Sequence, residues 1–264
     1  MAAAPDWLEL CRRAAAEAAA AIERHPNRWE EVGRGAGGDQ TLAIDRAAED
    51  AVFAELEALD VGLTAISEER GQVDLNGGGG LRVVIDPLDG SRNARRDLPL
   101  YALSLAVAEG PAMSDVTFAY VHDFGRSEHW WAHRDGGAFL EGEPLQAAGG
   151  DELQLLGLES SHPAEVARAS SGLVAAGPER LRALGSVALA LCYVAAGSLD
   201  AMLTLSGTRS VDVAAGQLLV REAGGYVAFP EAGDLAAPLD LGMRSRVLAA
   251  ATPGGLARLQ TAFP

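Results

Sequence analysis

The sequence predicts a layered α/β protein, of the mixed α+β kind rather than a barrel. Three observations carry this. Apolar residues recur at helical spacing near the start of the chain. From about residue 63 the pattern switches to strand-like runs. In the second half helices and strands mix without strict alternation. The 264 residues are enough for one large domain or two close-packed halves.

Residues 6–24 read as a helix, with Asp6 near its start and Leu8, Cys11, Ala15, Ala18 and Ile22 on one face. The following glycine-containing stretch, HPNRWEEVGRGAGGDQ, reads as a mobile loop. A second helix is expected over 41–59, burying Leu42, Ala48, Val52, Leu56 and Leu59. Strands follow at 63–67, 81–86, 100–108 and 115–121, and SEHWWAHRDGGAFLEG reads as a hairpin turning at Arg134–Gly137. The segment QAAGGDE divides the chain into an N-terminal half, 1–150, and a C-terminal half, 151–264. The second half reads as strand 153–158, helix 164–176, apolar helix 186–196, strand 199–205, helix 212–223, strand 247–251 and a closing helix.

The formal charge is −16 and the pI about 4.6. A negative surface repels nucleic acid and acidic membranes, so neither is expected as a partner. All 21 basic residues are arginine, which fits a compositional bias or a saline cell interior. Cys11 and Cys192 lie in apolar stretches and read as buried thiols in a reducing cytosol. The N-terminus lacks the pattern of a signal peptide, and no apolar run reaches membrane-spanning length. A cytoplasmic protein is expected.

Chemistry concentrates in the acids. The apolar run LRVVI leads into Asp86, Pro87 interrupts it, and Asp89 and Gly90 follow in a turn. Two acids so spaced at a strand end can aim oxygens at one point, where a hard cation such as Mg²⁺ would sit. Glu68 and Glu69 close another apolar run, GLTAIS, and Asp212 stands at the start of a helix of small residues. Taken singly, each has an ordinary reading as a turn, a solvated pair or a helix cap.

Together these segments resemble the inositol monophosphatase family, within the magnesium-dependent, lithium-sensitive sugar and inositol phosphatases. DPLDGS matches the first family signature and VDVAAGQLLVREAGG the second. SEE matches the preceding acidic pair, DQTLAIDRAAED an early Thr/Asp segment, and GSVALALCYVAAGSLDAM a Gly-Ser helix with its following strand. The resemblance implies an αβαβα sandwich of the inositol monophosphatase and fructose-1,6-bisphosphatase type, and a homodimer. It implies that Glu68, Asp86, Asp89, Asp212 and the Leu88 carbonyl bind two or three Mg²⁺ ions, with Mn²⁺ as a substitute. Asp45 and Ser91 would position the attacking water. Substrate would meet Asp89, Gly90, Ser91, Gly185, Ser186, Arg209 and Asp212, its phosphate resting on the Gly90 and Ser91 amides.

The chain departs from the family pattern in places. Val211 replaces the usual tryptophan, and the early loop carries Arg34 where many relatives have a lysine. Arg92, Arg95 and Arg96 follow the first signature, where they could meet a second phosphate or a neighbouring subunit. The inositol-specific glutamate before the second signature is absent, and Arg209 stands in that stretch. The expected function is therefore Mg²⁺-dependent hydrolysis of a small phosphorylated metabolite, inositol monophosphate or fructose 1,6-bisphosphate. A 3′-phosphoadenosine 5′-phosphate-type phosphatase and a catalytically silent phosphate-binding relative are the alternatives. Gly33, Gly35 and Gly38 match a dinucleotide-binding spacing but lack the strand it needs. His129, Trp131 and His133 are read as one face of the hairpin.

Overall fold

The computed structural model describes residues 5–25, 27–38, 40–159 and 162–264. Helix α1 (Trp7–Arg24) begins where the Asp6 carboxylate accepts the Glu9 N–H at 3.0 Å. Next, β1 (Glu31–Arg34) and β2 (Gln40–Leu42) form an antiparallel pair where the sequence predicted a loop. The turn of this pair is pinned by backbone bonds from Ala36 N to Glu69 O and from Gly37 N to Glu68 O. That anchorage is long-range, so glycine content alone gave no sign of it. Helix α2 (Ala43–Glu57) starts two residues later than expected because Thr41 and Leu42 belong to β2.

An eight-stranded sheet follows. Its members are β3 (Leu63–Ser67), β4 (Gly71–Leu75), β5 (Leu81–Asp89), then, after the single-turn helix α3 (Ser91–Ala94), β6 (Ala102–Ala108), β7 (Val116–Asp123), β8 (Glu128–His133), β9 (Gly137–Leu140) and β10 (Glu143–Pro144). The order is β10-β9-β8-β7-β6-β5-β3-β4, antiparallel except between β3 and β5. Strand β5 does not stop at Pro87. Asp86 faces Ser104 and Asp89 faces Ala102, so one extra residue is bulged out where proline has no N–H to give.

The second half supplies β11 (Leu155–Glu159), α4 (Pro163–Ala176), β12 (Arg180–Arg182), α5 (Val187–Ala195), β13 (Ala201–Thr204), α6 (Ser210–Glu222), β14 (Tyr226–Ala228), β15 (Leu248–Ala250) and α7 (Pro253–Ala262). Its five-stranded sheet has the order β12-β11-β13-β15-β14, with β11 parallel to both neighbours.

Burial follows the period-two alternation of the strands. Val83 and Ile85 pack with Leu10, Val52 and Phe53 of α1 and α2, while Val84 packs on the opposite face with α5 and α6. Met202 and Ala249 join that central layer, whereas Leu203 and Leu248 pack outward with Leu173 of α4 and Leu259 of α7. The layers therefore run helix, sheet, helix, sheet, helix, as expected. Cys11 and Cys192 are buried in different clusters. Among the described residues, no helix is long and apolar enough to cross a membrane.

Candidate active site

A cavity of ≈ 590 Å³ opens where the ends of β3 and β5 meet the starts of α2 and α6. Among the described residues, seven carboxylates line it against four arginines.

Glu68 follows β3, Asp86 lies in β5, and Asp212 is the third residue of α6 rather than its cap. One oxygen from each lies within 4.8 Å of the others. The Asp212 carboxylate reaches back to the Arg209 N–H at 2.8 Å, which fixes its direction. Asp45 uses the same device at the start of α2, accepting from Leu42 N at 2.8 Å. Asp86 is 3% exposed and takes the Leu88 N–H at 3.0 Å. Burial, followed by repulsion from Glu68, Asp89 and Asp212, pushes its pKa well above the carboxylate range. Burial likewise raises Glu68 to about 8, against the lowering pull of Arg209.

Asp89 is turned elsewhere. It accepts from the Ser186 hydroxyl at 2.6 Å and from Ala188 N at 2.7 Å, tying the end of β5 to the start of α5. Its pKa rises to about 7 through burial, moderated by the Ser186 bond. Ser186 is buried and meets the site through Asp89, while Gly185 lies on the cavity wall. The sequence had assigned both residues to the substrate pocket through their backbone.

Sequence reasoning passed over Glu159. This acid, 1% exposed, ends β11 and accepts from Leu184 N and Gly185 N, each at 2.8 Å. Asn93 joins the same turn, donating to Leu184 O and Leu100 O at 2.8 Å. The signal was present, since Glu159 closes an apolar strand just as Glu68 and Asp86 do. Glu69 accepts a hydrogen bond from the Thr41 hydroxyl.

Among the described residues, Asp45 keeps one buried oxygen, Oδ1, without a hydrogen-bond partner. Burial raises its pKa to about 7, while Arg95 pulls it down. Ser91 and the Leu88 segment line the same cavity. Gly90 has a left-handed φ of 87°, and a Cβ there would stand 2.8 Å from Leu100 O, so this turn requires glycine. The helix after it, α3, has only four residues, so the dipole expected to greet a phosphate is that of a single turn. Arg95 and Arg96 stack on Trp29, 4.8 and 5.1 Å from its ring centroid. Arg209, expected on the substrate, lies 2.7 Å from Glu68 Oε1 and 3.5 Å from Asp212 Oδ1.

An all-oxygen donor set of crowded, mutually repelling acids is what a hard divalent cation binds. Glu68, Asp86 and Asp212 fit such an ion by donor type and convergence.

A sheet sandwich with this acid cluster at the strand ends defines the class of the sugar and inositol phosphatases. The family model of the inositol monophosphatase family matches residues 6–263. A fructose-1,6-bisphosphatase/inositol-1-monophosphatase of Methanothermobacter thermautotrophicus is 37% identical over 232 residues, covering 84% of this chain and 82% of the relative. Nus factor SuhB of Escherichia coli K12 is 33% identical over 229 residues, covering 83% and 84%. The crystal structure of the MJ0109 gene product, an inositol monophosphatase-fructose 1,6 bisphosphatase, superposes with a TM-score of 0.84 at 23% identity, covering 98% of this chain and 100% of that one. The chain belongs to the inositol monophosphatase family, a family of phosphatases.

Proposed function

We propose that this protein is a Mg²⁺-dependent phosphomonoesterase acting on a small phosphorylated metabolite, inositol monophosphate or fructose 1,6-bisphosphate. The observation that carries the reading is the convergence of Glu68, Asp86 and Asp212 within 4.8 Å, beside a base candidate in the same cavity. Glu68, Asp86, Asp89, Asp212 and the Leu88 carbonyl would hold the cation, with Mn²⁺ as a substitute. When bound, a divalent cation supplies Lewis-acid stabilisation of the charge that builds on the phosphoryl oxygens.

The chain's own groups do the rest. Asp45 Oδ1 is an acceptor with no hydrogen-bond partner among the described residues, and a carboxyl with a pKa of about 7 is poised to take a proton near neutrality. Ser91 would orient the attacking water toward it. The Gly90–Ser91 turn would receive the phosphate, and Gly185 would border the leaving group. Acids from both sides of residue 150 contribute, which supports reading the halves 1–150 and 151–264 as closing on one site.

Arg92 and Arg95 favour a substrate with a second anionic group. Both line the cavity, neither has an ion pair among the described residues, and Arg95 Nε is buried without an acceptor. A guanidinium so placed suits a phosphate. The Methanothermobacter thermautotrophicus relative carries both substrate names, which keeps the monophosphate in the comparison.

The test is phosphate release from inositol 1-phosphate, fructose 1,6-bisphosphate and adenosine 3′,5′-bisphosphate, with Mg²⁺ and with chelator. Release that chelator abolishes is expected, with fructose 1,6-bisphosphate ahead of inositol 1-phosphate. Release that survives chelation would overturn the metal-dependent reading.

A further inference from the structure

We propose that Arg209 is a resident counter-ion of the carboxylate site, which a divalent cation must displace in order to load. The inference rests on the reading of Glu68 and Asp212 as cation ligands.

The arginine is held there by design of the chain around it. Thr208, just before it, exchanges backbone bonds with Ser245 at 2.8 and 3.3 Å and adds a hydroxyl bond to the Ser245 carbonyl at 2.9 Å. The backbone of Arg209 is tied to Asp212. From this fixed base the side chain, 14% exposed, places Nη2 between Glu68 and Asp212. Arg244 also lies on the cavity wall, but its Nη1 donates to the Leu241 and Met243 carbonyls at 2.8 and 2.7 Å.

The space around the guanidinium is the second observation. A Cβ at Gly37 would stand 2.6 Å from Arg209 Nη1. Gly37 does not have a left-handed φ, so space rather than conformation makes glycine suitable here. Its N–H donates to the Glu68 carbonyl at 2.8 Å, so the β1–β2 turn closes over the guanidinium and onto the backbone of the residue it pairs with.

The consequence is a competition. The Glu68 oxygen that receives the guanidinium is not free for a cation, and Arg209 adds a positive charge that repels one. The apparent dissociation constant for the cation is raised in proportion to the time Arg209 holds its place. In the metal-free protein the same contact offsets part of the repulsion among Glu68, Asp86, Asp89 and Asp212.

The experiment is calorimetric titration of the metal-stripped full chain with Mn²⁺, alongside melting in chelator. Arg209→Gln is expected to bind Mn²⁺ at least about fivefold more tightly and to melt lower in chelator. Gly37→Ala keeps the charge but crowds the guanidinium, and is expected to tighten binding to a smaller degree. Unchanged or weaker Mn²⁺ binding in both variants would overturn the proposal and make Arg209 an organiser of the ligands instead. If Arg209→Gln does not fold, the direction in Gly37→Ala decides. A wild-type chain that takes up no Mn²⁺ would overturn the cation-site reading and this inference with it.

Discussion

Asp86 and Glu159 sit at corresponding places in the two sheets, each a buried acid near the end of an apolar strand. Their surroundings differ. Glu159 meets two backbone N–H groups, one per oxygen, and among charged groups only Asp89 raises its pKa, which burial brings to about 7. Asp86 has one N–H and feels three carboxylates. The second-half acid is satisfied by the protein and acts as a bracket, holding the Leu184–Gly185 turn from which Ser186 reaches Asp89. The first-half acid is left short of donors, and a cation would complete it. The site thus separates into groups that are finished on folding and groups whose charge and missing donors suit an ion.

The sharpest way to break this comparison is to neutralise Asp86, and with it Asp89 at the end of the same strand. Asp86→Asn or Asp89→Asn is expected to abolish turnover, since each removes a ligand charge and little volume. Asp86→Asn is also expected to melt no lower than wild type in chelator, because it relieves repulsion. A variant with near-normal turnover, or one that melts well below wild type in chelator, would contradict the assignment. The bracket should behave oppositely. Glu159→Gln keeps one acceptor and sets an amide N–H against a backbone N–H, so it is expected to lower the melting temperature even in chelator. Its kcat should fall roughly tenfold, the scale for a group that orients a ligand, with KM little changed. A rise in KM alone would place Glu159 in substrate binding.

Much of this was legible in the sequence. The layered α/β class followed from local patterns, the apolar faces of α1 and α2 and the strand-like runs after residue 63, whereas the five layers came only with the family resemblance. The acids at the strand ends were legible because an apolar run closing on Asp or Glu is conspicuous. What was missed depends on distant partners. The β1–β2 pair is held by the backbone of Glu68 and Glu69, which composition cannot reveal. Strand β5 passes Pro87 because a bulge absorbs it, whereas the local rule ends the strand there. Glu159 bears the same signal as Asp86, and only the turn packed against it shows that its role is structural. The reach of Arg209 toward Glu68 and Asp212 depends on the Ser245 anchor and on the space at Gly37, neither of which its own segment shows.

The smallest expected effect is on stability, and pH gives it a sign. Burial holds the pKa of Glu68 at about 8, and those of Asp45 and Asp89 at about 7, all above their ordinary values of 4.5, 3.8 and 3.8. A raised carboxyl pKa means that the folded chain binds protons the unfolded chain has released. The stability these groups lend is complete below the ordinary values and is lost as pH rises through 7 and 8. His122 works the other way, since burial lowers it from 6.5 to about 4, and its contribution is complete above pH 6.5. The clean window therefore runs from about pH 6.5 to 8.5. In chelator the melting temperature should fall across it, by something on the order of 5 °C. Saturating Mg²⁺ should remove or reverse the fall, because a cation binds the ionised acids and its advantage grows with pH. A metal-free melting temperature that stays flat would mean that Arg209 and the local N–H donors already hold the site ionised. Arg209→Gln would then be the variant in which the slope returns.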